Sequence, residues 1–284
     1  MKLITWNIQW GLGVDGRVDL GRIIETARAM ADFDVLCLQE VTRNYPGLAG
    51  NDGSDQFATL AGLLPGYHAA EGIAVDRHTE GRGRQQFGNL IFTRVAPIQV
   101  LRHQLPWPAD TGVPTMPRLA LEVVLDAPGG PLRVTTTHLE FYSALQRRAQ
   151  VEALRRIQIE AAGHARNLPQ DHKRGSPFES RGRGSRAILT GDFNCAADDA
   201  LIAHLQAPID GGAAPYRDAW TLLRPGAPHV ATVGVHDKKQ WKGREMCFDF
   251  IFVSNDLAPY ARAITVDSVT AASDHQPLLL EIDP

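Results

Sequence analysis

The feature that most constrains the fold is a series of short apolar runs, bounded by Gly, Pro, Asn or Asp, that recur along the whole 284-residue chain. Runs of this length, rich in Val, Ile, Leu, Thr and Phe, are typical of β-strands. We predict strands at residues 2–8, 33–39, 89–93, 119–125, 132–137, 187–190, 248–253 and 277–282. Several follow one another without a helix between them, as in 119–137, which favours mixed or antiparallel sheets over a doubly wound parallel sheet.

Helical periodicity lies between some of these runs. Apolar residues return every three or four positions over residues 20–30, after Asp19 as a predicted N-cap. A second helix is expected from about residue 54 with Ala61 on its buried face, and a third over 143–162, capped by Ser143, with Leu145 in its apolar stripe. These elements predict an α/β (α+β) protein with helices covering the sheets. No internal repeat or low-complexity tract divides the chain, so we expect one domain over 1–284.

The composition argues against several classes of protein. The net charge is −3, so a polyanionic partner would need a local basic patch. Three cysteines without metal-ligand spacing argue against a disulfide framework and a zinc module, and reduced thiols suit a cytoplasmic location. No apolar run approaches the roughly 20 residues that span a bilayer. Four long loops, at 77–86, 102–118, 166–186 and 224–245, have no role that the sequence assigns.

Polar side chains interrupt or end the apolar runs at several places. They are Asn7, Glu40, His138, Asp192, Asn194, Asp249, Asp274 and His275. Taken singly, each has a structural explanation: an Asn can cap a turn, and a lone His is often a satisfied core residue. Buried carboxylates are nevertheless costly unless they are paired, hydrogen-bonded or bound to a cation. Their joint occurrence at strand ends therefore indicates a functional site.

These residue types match the hydrolysis of a phosphate ester. Glu40, Asp274 and the Asn7 carboxamide are hard oxygen ligands that suit Mg²⁺ or Mn²⁺. Such a metal can offset the charge of the phosphate and stabilise the leaving oxygen. Asp192 could orient or deprotonate the attacking water, and His275 paired with a carboxylate could donate to the phosphate. Asp249 is the predicted partner of that histidine.

The order of short motifs resembles that of the endonuclease/exonuclease/phosphatase family. The matching segments are Thr5-Trp6-Asn7, Leu38-Gln39-Glu40, Thr137-His138-Leu139, Gly191-Asp192-Phe193-Asn194, Phe248-Asp249-Phe250-Ile251 and Ser273-Asp274-His275-Gln276-Pro277. Each motif alone is weak, but six in the expected order over residues 5–277 are specific.

This resemblance implies a four-layered α/β/β/α sandwich of two packed, mostly antiparallel mixed sheets, with the active site at one sheet edge. It implies that Glu40 is the main metal ligand, helped by Asn7 and Asp274. It also implies that the catalytic groups are His138, Asp192, Asn194, Asp249 and His275. Within that set, Asp192 and Asn194 would align the water, and the two histidines would stabilise the charged phosphorus centre.

Substrate contacts are less well defined. The resemblance suggests Arg43 as a phosphate contact, and either Gln86 or Asn89 as a further polar contact. Tyr142, just past His138, is a further candidate for a phosphate contact. Trp241, among four cations in residues 238–244, could stack on a base, lie against a lipid or anchor its loop.

Three functions remain open at this point. The leading hypothesis is a Mg²⁺- or Mn²⁺-dependent phosphodiesterase, with nuclease activity as one form of it. The second is a phosphatase or phospholipase-type hydrolase acting on a small-molecule or lipid phosphate, because substrate choice depends on loops rather than on the fold. The third is a non-catalytic binding protein, which the intact set of site residues argues against. No protein partner is predicted.

Overall fold

A computed structural model describes residues 1–167, 175–179 and 182–284. Its strands are β1 (Lys2–Asn7), β2 (Val35–Arg43), β3 (His68–Thr79), β4 (Gly83–Thr93), β5 (Gln99–Gln104), β6 (Leu119–Leu125), β7 (Leu132–His138), β8 (Ala187–Asp192), β9 (Tyr216–Asp218), β10 (Asp249–Ser254), β11 (Ala261–Val266) and β12 (Leu278–Ile282). Its α-helices are α1 (Leu20–Met30), α2 (Gln56–Leu63), α3 (Ala144–Arg166), α4 (Ala200–Gln206) and α5 (Ala219–Leu223).

The strands form two six-stranded mixed sheets of similar design. The first has the order β11-β12-β1-β2-β4-β3 and the second the order β5-β6-β7-β8-β10-β9. Each contains one parallel pair near its centre, β1 with β2 and β7 with β8, and antiparallel neighbours elsewhere. The two strands of each parallel pair therefore end at the same edge of their sheet, and the residues at these ends are polar.

Three apolar clusters hold the layers together. The cluster between the sheets contains alternate residues of both, including Leu3 and Cys37 from the first sheet and Val134 from the second. A second cluster joins the first sheet to α1 and α2, and a third joins the second sheet to α3 and α4. The predicted α/β/β/α sandwich with two mixed sheets is confirmed.

The helix caps predicted at Asp19 and Ser143 are confirmed, whereas two residues that were predicted to be buried are exposed. The side chain of Asp19 accepts a hydrogen bond from Arg22 N at the start of α1, and Ser143 does the same for Gln146 N at the start of α3. Helix α2 begins at Gln56 after Asp55, and Ala61 is exposed, contrary to the prediction. Leu145 is also exposed, and the buried face of α3 combines apolar residues such as Leu154 with glutamines that hydrogen-bond to loop carbonyls.

The structure also corrects the loop predictions. Residues 77–86 are not a long loop: β3 and β4 extend through most of them as a hairpin whose turn is at 80–82. The first residues of the 102–118 segment belong to β5, and the rest of that segment up to 118 is irregular. Within the predicted 166–186 loop, residues 168–174 and 180–181 lie outside the described part of the chain. Residues 224–245 are irregular apart from an isolated bridge at Val233.

A buried ionic cluster on the second sheet is centred on Glu122 of β6. Its carboxylate accepts hydrogen bonds from Arg133 (3.1 Å) and Arg183 (2.8 Å), and all three side chains are at most 4% exposed. Burial opposes ionisation, but the bond to His103 and the two arginines outweigh it, so the pKa of Glu122 lies below its usual range. Because Arg183 lies shortly before β8, its bond to Glu122 fixes the residues before β8 against the second sheet.

Among the residues that the structure describes, no helix combines the length and the apolar character needed to cross a bilayer.

Candidate active site

Parallel strand pairs deliver the first four polar residues to one edge of the sandwich. In the first sheet Asn7 ends β1 and is paired with Gln39, so Glu40 of β2 lies one residue beyond it. In the second sheet His138 at the end of β7 is paired with Asp192 at the end of β8. The site is thus divided between the sheets.

A β-bulge turns Glu40 toward the site. The register between β2 and β4 shifts between Leu38 and Val41, and Glu40 has a positive φ of 62°. The extra residue returns Val41 to the helix side of the sheet, while Gln39 lies between the sheets and donates to Thr136 Oγ1 at 2.8 Å. Bulges commonly re-aim a side chain next to an active site. Because of the bulge, the side chain of Glu40 does not have to follow the alternation of side chains between the two faces of β2.

The turn after β8 fixes Asp192 and Asn194 relative to each other. Asp192 Oδ1 accepts a hydrogen bond from Asn194 N at 2.9 Å, and Asn194 Nδ2 donates to Leu139 O at 2.8 Å. Asn194 has a positive φ of 50°, a conformation that costs energy for residues other than glycine. Gly191 is required before them, since a Cβ there would lie 1.9 Å from Thr137 O.

A buried carboxylate–imidazole pair joins the two sheets. Asp249 at the start of β10 faces Asp192 across the antiparallel register, and its Oδ2 lies 2.8 Å from His275 Nδ1. The backbone of His275 is held on the first sheet, because Trp6 Nε1 donates to its carbonyl at 2.9 Å. Both side chains of the pair are at most 5% exposed.

Asp192 Oδ2 is the centre of the constellation. Asn7 Nδ2 donates to it at 3.0 Å, and the Nε2 atoms of His138 and His275 lie 3.5 Å and 3.7 Å away. Asn7 Nδ2 also donates to Glu40 Oε1 at 3.1 Å, and His138 Nε2 lies 3.9 Å from that oxygen. Residues from positions 7 to 275 therefore converge within hydrogen-bonding or ion-pair distance.

The acidic groups of this site oppose one another's ionisation. Burial, followed by the charge of Asp274, raises the pKa of Glu40 to about 7. Burial raises the pKa of Asp192 to about 6, although the charge of His275 opposes the shift. A surplus of buried, mutually repelling oxygen donors is the environment that a hard divalent cation fits.

The surroundings shift the pKa values of the two histidines in opposite directions. Burial opposes protonation of His275, but the charges of Asp249, Asp274 and Asp192 outweigh it and raise its pKa well above the usual value. For His138, burial and the nearby charge of Arg118 lower the pKa well below the usual value. The surroundings thus favour the protonated form of His275 and the neutral form of His138.

Among the described residues, one group of three side chains has ligand atoms close enough together to hold a metal ion. Ligand atoms of Asp192, Asp249 and His275 lie within 4.8 Å of one another, but His275 Nδ1 and Asp249 Oδ2 are already engaged with each other at 2.8 Å, which does not suit ligation. The oxygen donors Glu40 and Asp274 fit a cation better. Asp274 Oδ2 accepts hydrogen bonds from Gln240 Nε2 at 2.9 Å and Trp241 Nε1 at 3.1 Å, which orient the carboxylate.

These groups open into one cavity of about 400 Å³. It is lined by Glu40, Met116, Arg118, His138, Phe141, Tyr142, Asp192, Asn194, Gln240, Trp241, Asp274 and His275. Asn7 and Asp249 contact this lining through Glu40, Asp192 and His275. The structure therefore brings together all the residues predicted to bind metal or to act in catalysis, together with Tyr142 and Trp241.

Two of the predicted substrate contacts lie elsewhere. Arg43 forms ion pairs with Asp55 (2.6 Å) and Glu71 (3.2 Å) and is absent from the lining of the cavity. Asn89 is buried, and its Nδ2 lies 3.5 Å from Leu119 O. Gln86, the alternative to Asn89, donates to Asp76. Substrate contacts by these residues stay predictions.

Arg118 is the main residue that sequence reasoning missed. It is 5% exposed, lines the cavity, and donates from Nε to Glu140 Oε2 at 3.2 Å. Its Nη1 is buried with no hydrogen-bond partner among the described residues. The available signal was an arginine directly before the mostly apolar strand β6, where a buried cation needs a partner. Met116, Phe141 and Gln240 were missed as well, since each lies on an irregular segment.

Comparisons with known proteins identify the family and agree with the fold. The model of the endonuclease/exonuclease/phosphatase family matches residues 4–275. Among solved structures, a family member from Beutenbergia cavernae DSM 12333 is 23% identical with a TM-score of 0.66, and the match covers 99% of this chain and 70% of that one. A family member from Bacteroides vulgatus is 18% identical with a TM-score of 0.68, over 99% and 98% of the two chains. A mannosyl-6-phosphatase from Bacteroides thetaiotaomicron VPI-5482 is 18% identical with a TM-score of 0.65, over 99% of each chain. At these identities the likeness concerns the fold. A search of curated proteins found no match.

Proposed function

The chain belongs to the endonuclease/exonuclease/phosphatase family, and from that premise we propose that it is a Mg²⁺- or Mn²⁺-dependent phosphodiesterase that uses an activated water. The observation that carries the proposal is the convergence of Glu40, His138 and His275 around Asp192 Oδ2 on one cavity. We also propose that residues 1–284 form a single catalytic domain. A cytoplasmic location stays a prediction that rests on three buried, unpaired cysteines.

Glu40 and Asp274 are the residues that would hold the cation. A divalent cation bound there supplies positive charge that offsets the phosphate and stabilises the leaving oxygen. Asn7 Oδ1 accepts from Gln9 N at 3.1 Å, while its Nδ2 donates to Glu40. In this conformation Asn7 orients the Glu40 carboxylate, and ligation through Oδ1 would require the carboxamide to turn.

Asp192 is the proposed base. With a pKa of about 6, it is mostly ionised at neutral pH yet basic enough to take a proton from water at Oδ2. The bond from Asn194 N to Asp192 Oδ1 leaves Oδ2 facing the histidines, so the accepting oxygen is defined. Asn194 is itself fixed by its bond to Leu139 O.

His275 and His138 are the proposed donors to the phosphate. His275 stays protonated because Asp249 accepts from Nδ1, so its Nε2–H can stabilise negative charge on the phosphoryl oxygens. The neutral His138 donates from Nε2 without adding charge. Arg118 supplies a further positive charge at the same cavity.

A phosphatase or phospholipase-type hydrolase is the second candidate. It is favoured by the size of the cavity, because about 400 Å³ lies within the usual range for small-molecule sites. A purely binding role is disfavoured because the carboxylate–imidazole pair and the base are all present.

The test is hydrolysis of bis-p-nitrophenyl phosphate and p-nitrophenyl phosphate in parallel. We expect turnover of the diester with Mg²⁺ or Mn²⁺ and loss of turnover with chelator. Faster turnover of the monoester would favour the phosphatase. Full activity after exhaustive metal removal would contradict the assignment of Glu40 and Asp274.

A further inference from the structure

Three aromatic rings stand at the mouth of the cavity, and we call Phe141, Tyr142 and Trp241 the aromatic cleft. The Phe141 ring lies edge-on to Tyr142 (centroids 4.8 Å apart) and to Trp241 (6.1 Å). Edge-to-face contacts leave ring faces uncovered, and Phe141 and Tyr142 are 39% and 59% exposed. Large apolar side chains grouped at an exposed cavity mouth mark a binding surface.

The cleft is held in place by polar contacts to the site. Trp241 Nε1 donates to Asp274 Oδ2, and its ring packs edge-on to Phe248 and His275 at 5.6 Å and 6.2 Å. On the other side, Arg147 donates to the Phe141 carbonyl at 2.9 Å. Because these contacts exist before any ligand binds, little ordering entropy is lost on binding.

The position of the cleft ties its ligand to the phosphate. Its three rings line the same cavity as Asp192 and His275, so a group that lies against them can be part of the same molecule as a phosphate at the catalytic residues. The loop that carries Trp241 also carries exposed cations at Lys239, Lys242 and Arg244. Stacking faces beside cationic side chains are typical of sites that bind nucleotides and single strands.

We infer that the aromatic cleft is a subsite for a planar base, and that the substrate is a nucleoside phosphodiester. This inference rests on the proposed function of the same cavity. An aliphatic chain would gain only apolar contact there, because it has no planar face to stack on the rings. A base can stack on the ring faces while other phosphates of the same strand face the cations of the loop that carries Trp241.

Binding alone tests the subsite without turnover. We would titrate the Mn²⁺-supplemented protein with thymidine 5′-monophosphate, n-hexyl phosphate and methyl phosphate by calorimetry. Thymidine 5′-monophosphate should bind about 10-fold more tightly than methyl phosphate, which is about 1.4 kcal/mol. Tightest binding of hexyl phosphate would overturn the inference in favour of a lipid-like group, and equal affinities would overturn it outright.

Turnover then separates this inference from the proposed function. The p-nitrophenyl diesters of thymidine 5′-phosphate and of methyl phosphate share the leaving group and differ only in the flanking ester. The thymidine ester should have about 10-fold higher kcat/KM. If neither ester is hydrolysed while the binding preference holds, the phosphodiesterase proposal fails and the subsite stands. If both are hydrolysed equally and bind equally, only the subsite fails.

Matched variants assign the preference to the cleft. Tyr142→Ala should reduce the ratio of thymidine to methyl kcat/KM at least about fivefold, whereas Tyr142→Phe should preserve it because the ring remains. The control is Tyr260→Ala, another exposed tyrosine (45%), which lies beyond the end of β10 opposite to Asp249. If Tyr142→Ala keeps the wild-type ratio, or if Tyr260→Ala lowers it equally, the inference is wrong.

Discussion

Replacement of Asp249 by asparagine should separate catalysis from stability in this chain. The change removes the charge that accepts from His275 Nδ1 at 2.8 Å while it preserves the shape of the side chain. A hydrogen bond to a charged group contributes roughly 1.5–3 kcal/mol. With about 1.36 kcal/mol per tenfold in rate, we expect kcat to fall about 10- to 150-fold, since burial would then favour the neutral form of His275.

A second aspartate–histidine pair, with a buried aspartate and a partly exposed histidine, provides the control. Asp218 Oδ2 lies 2.5 Å from His229 Nε2, next to β10 in the same sheet, and neither residue lines the catalytic cavity. Asp218→Asn retains the oxygen that accepts from Trp220 N at the start of α5. It should therefore lower the melting temperature to a degree comparable with Asp249→Asn but leave kcat near wild type.

The assay is kcat for bis-p-nitrophenyl phosphate at saturating Mn²⁺, with thermal unfolding followed by circular dichroism. If the Asp249 variant retains more than about a third of wild-type kcat, the charge of Asp249 is not needed and the proposed role of His275 falls. Equal loss of kcat in both variants would show that the effect comes from the stability of the second sheet.

The other predictions concern the metal site, the cavity and the buried ionic cluster. Glu40→Gln should abolish the rise in melting temperature that Mn²⁺ produces, and should raise the metal-free melting temperature because a carboxylate that repels Asp274 is removed; a retained metal-induced shift would contradict the ligand assignment. Arg118→Met should lower kcat/KM about 10- to 100-fold through loss of positive charge at the cavity, and unchanged kinetics on a confirmed substrate would exclude that role. Glu122→Gln should destabilise the protein by roughly 3–5 kcal/mol at pH 7 in urea unfolding, because two buried arginines lose the charge of the carboxylate that they share. The folded-state pKa of Glu122 lies below its unfolded value, so its stabilisation is present above about pH 4.5 and is lost as the pH falls; the variant should then show a shallower loss of stability in acid, and parallel acid profiles would contradict the cause.

Most strands could be predicted because burial on both faces leaves runs that are mainly apolar, as in β6 and the first half of β8. The strands that were missed lack that signal. β5 (Gln99–Gln104) is an edge strand with alternately exposed residues, and most of β3 (His68–Thr79) is at least partly exposed in its hairpin with β4. The glycines of the hairpin led to the prediction of a loop, but they serve the turn, where glycine permits a positive φ.

Helix α3 shows a different limit of sequence patterns. Its buried face was predicted from apolar residues, but Gln146, Gln150 and Gln158 lie inside because their amides satisfy carbonyls of neighbouring loops. Such partners are distant in sequence, so no local periodicity could indicate them. The same reason hides Arg118, whose partner Glu140 lies 22 residues away.

The site residues were predictable for the opposite reason. Each follows or interrupts a strand, and the order of short motifs made their convergence an expectation that the distances around Asp192 match. The motifs did not predict the bulge at Glu40 or the orientation of Asn7 toward two carboxylates. Both depend on pairing across the sheet and on contacts between the sheets.

The division of the reacting groups between two separately hydrogen-bonded sheets makes catalytic competence a sensitive measure of how tightly the sandwich is closed. His275 is joined to one layer by the bond from Trp6 Nε1 to its carbonyl and to the other by its carboxylate partner Asp249. A small slip of one layer over the other would lengthen that contact while every strand remained paired. Truncation of an apolar side chain such as Val134, in the cluster between the layers, would then be felt as lost turnover at temperatures where the secondary structure is still intact.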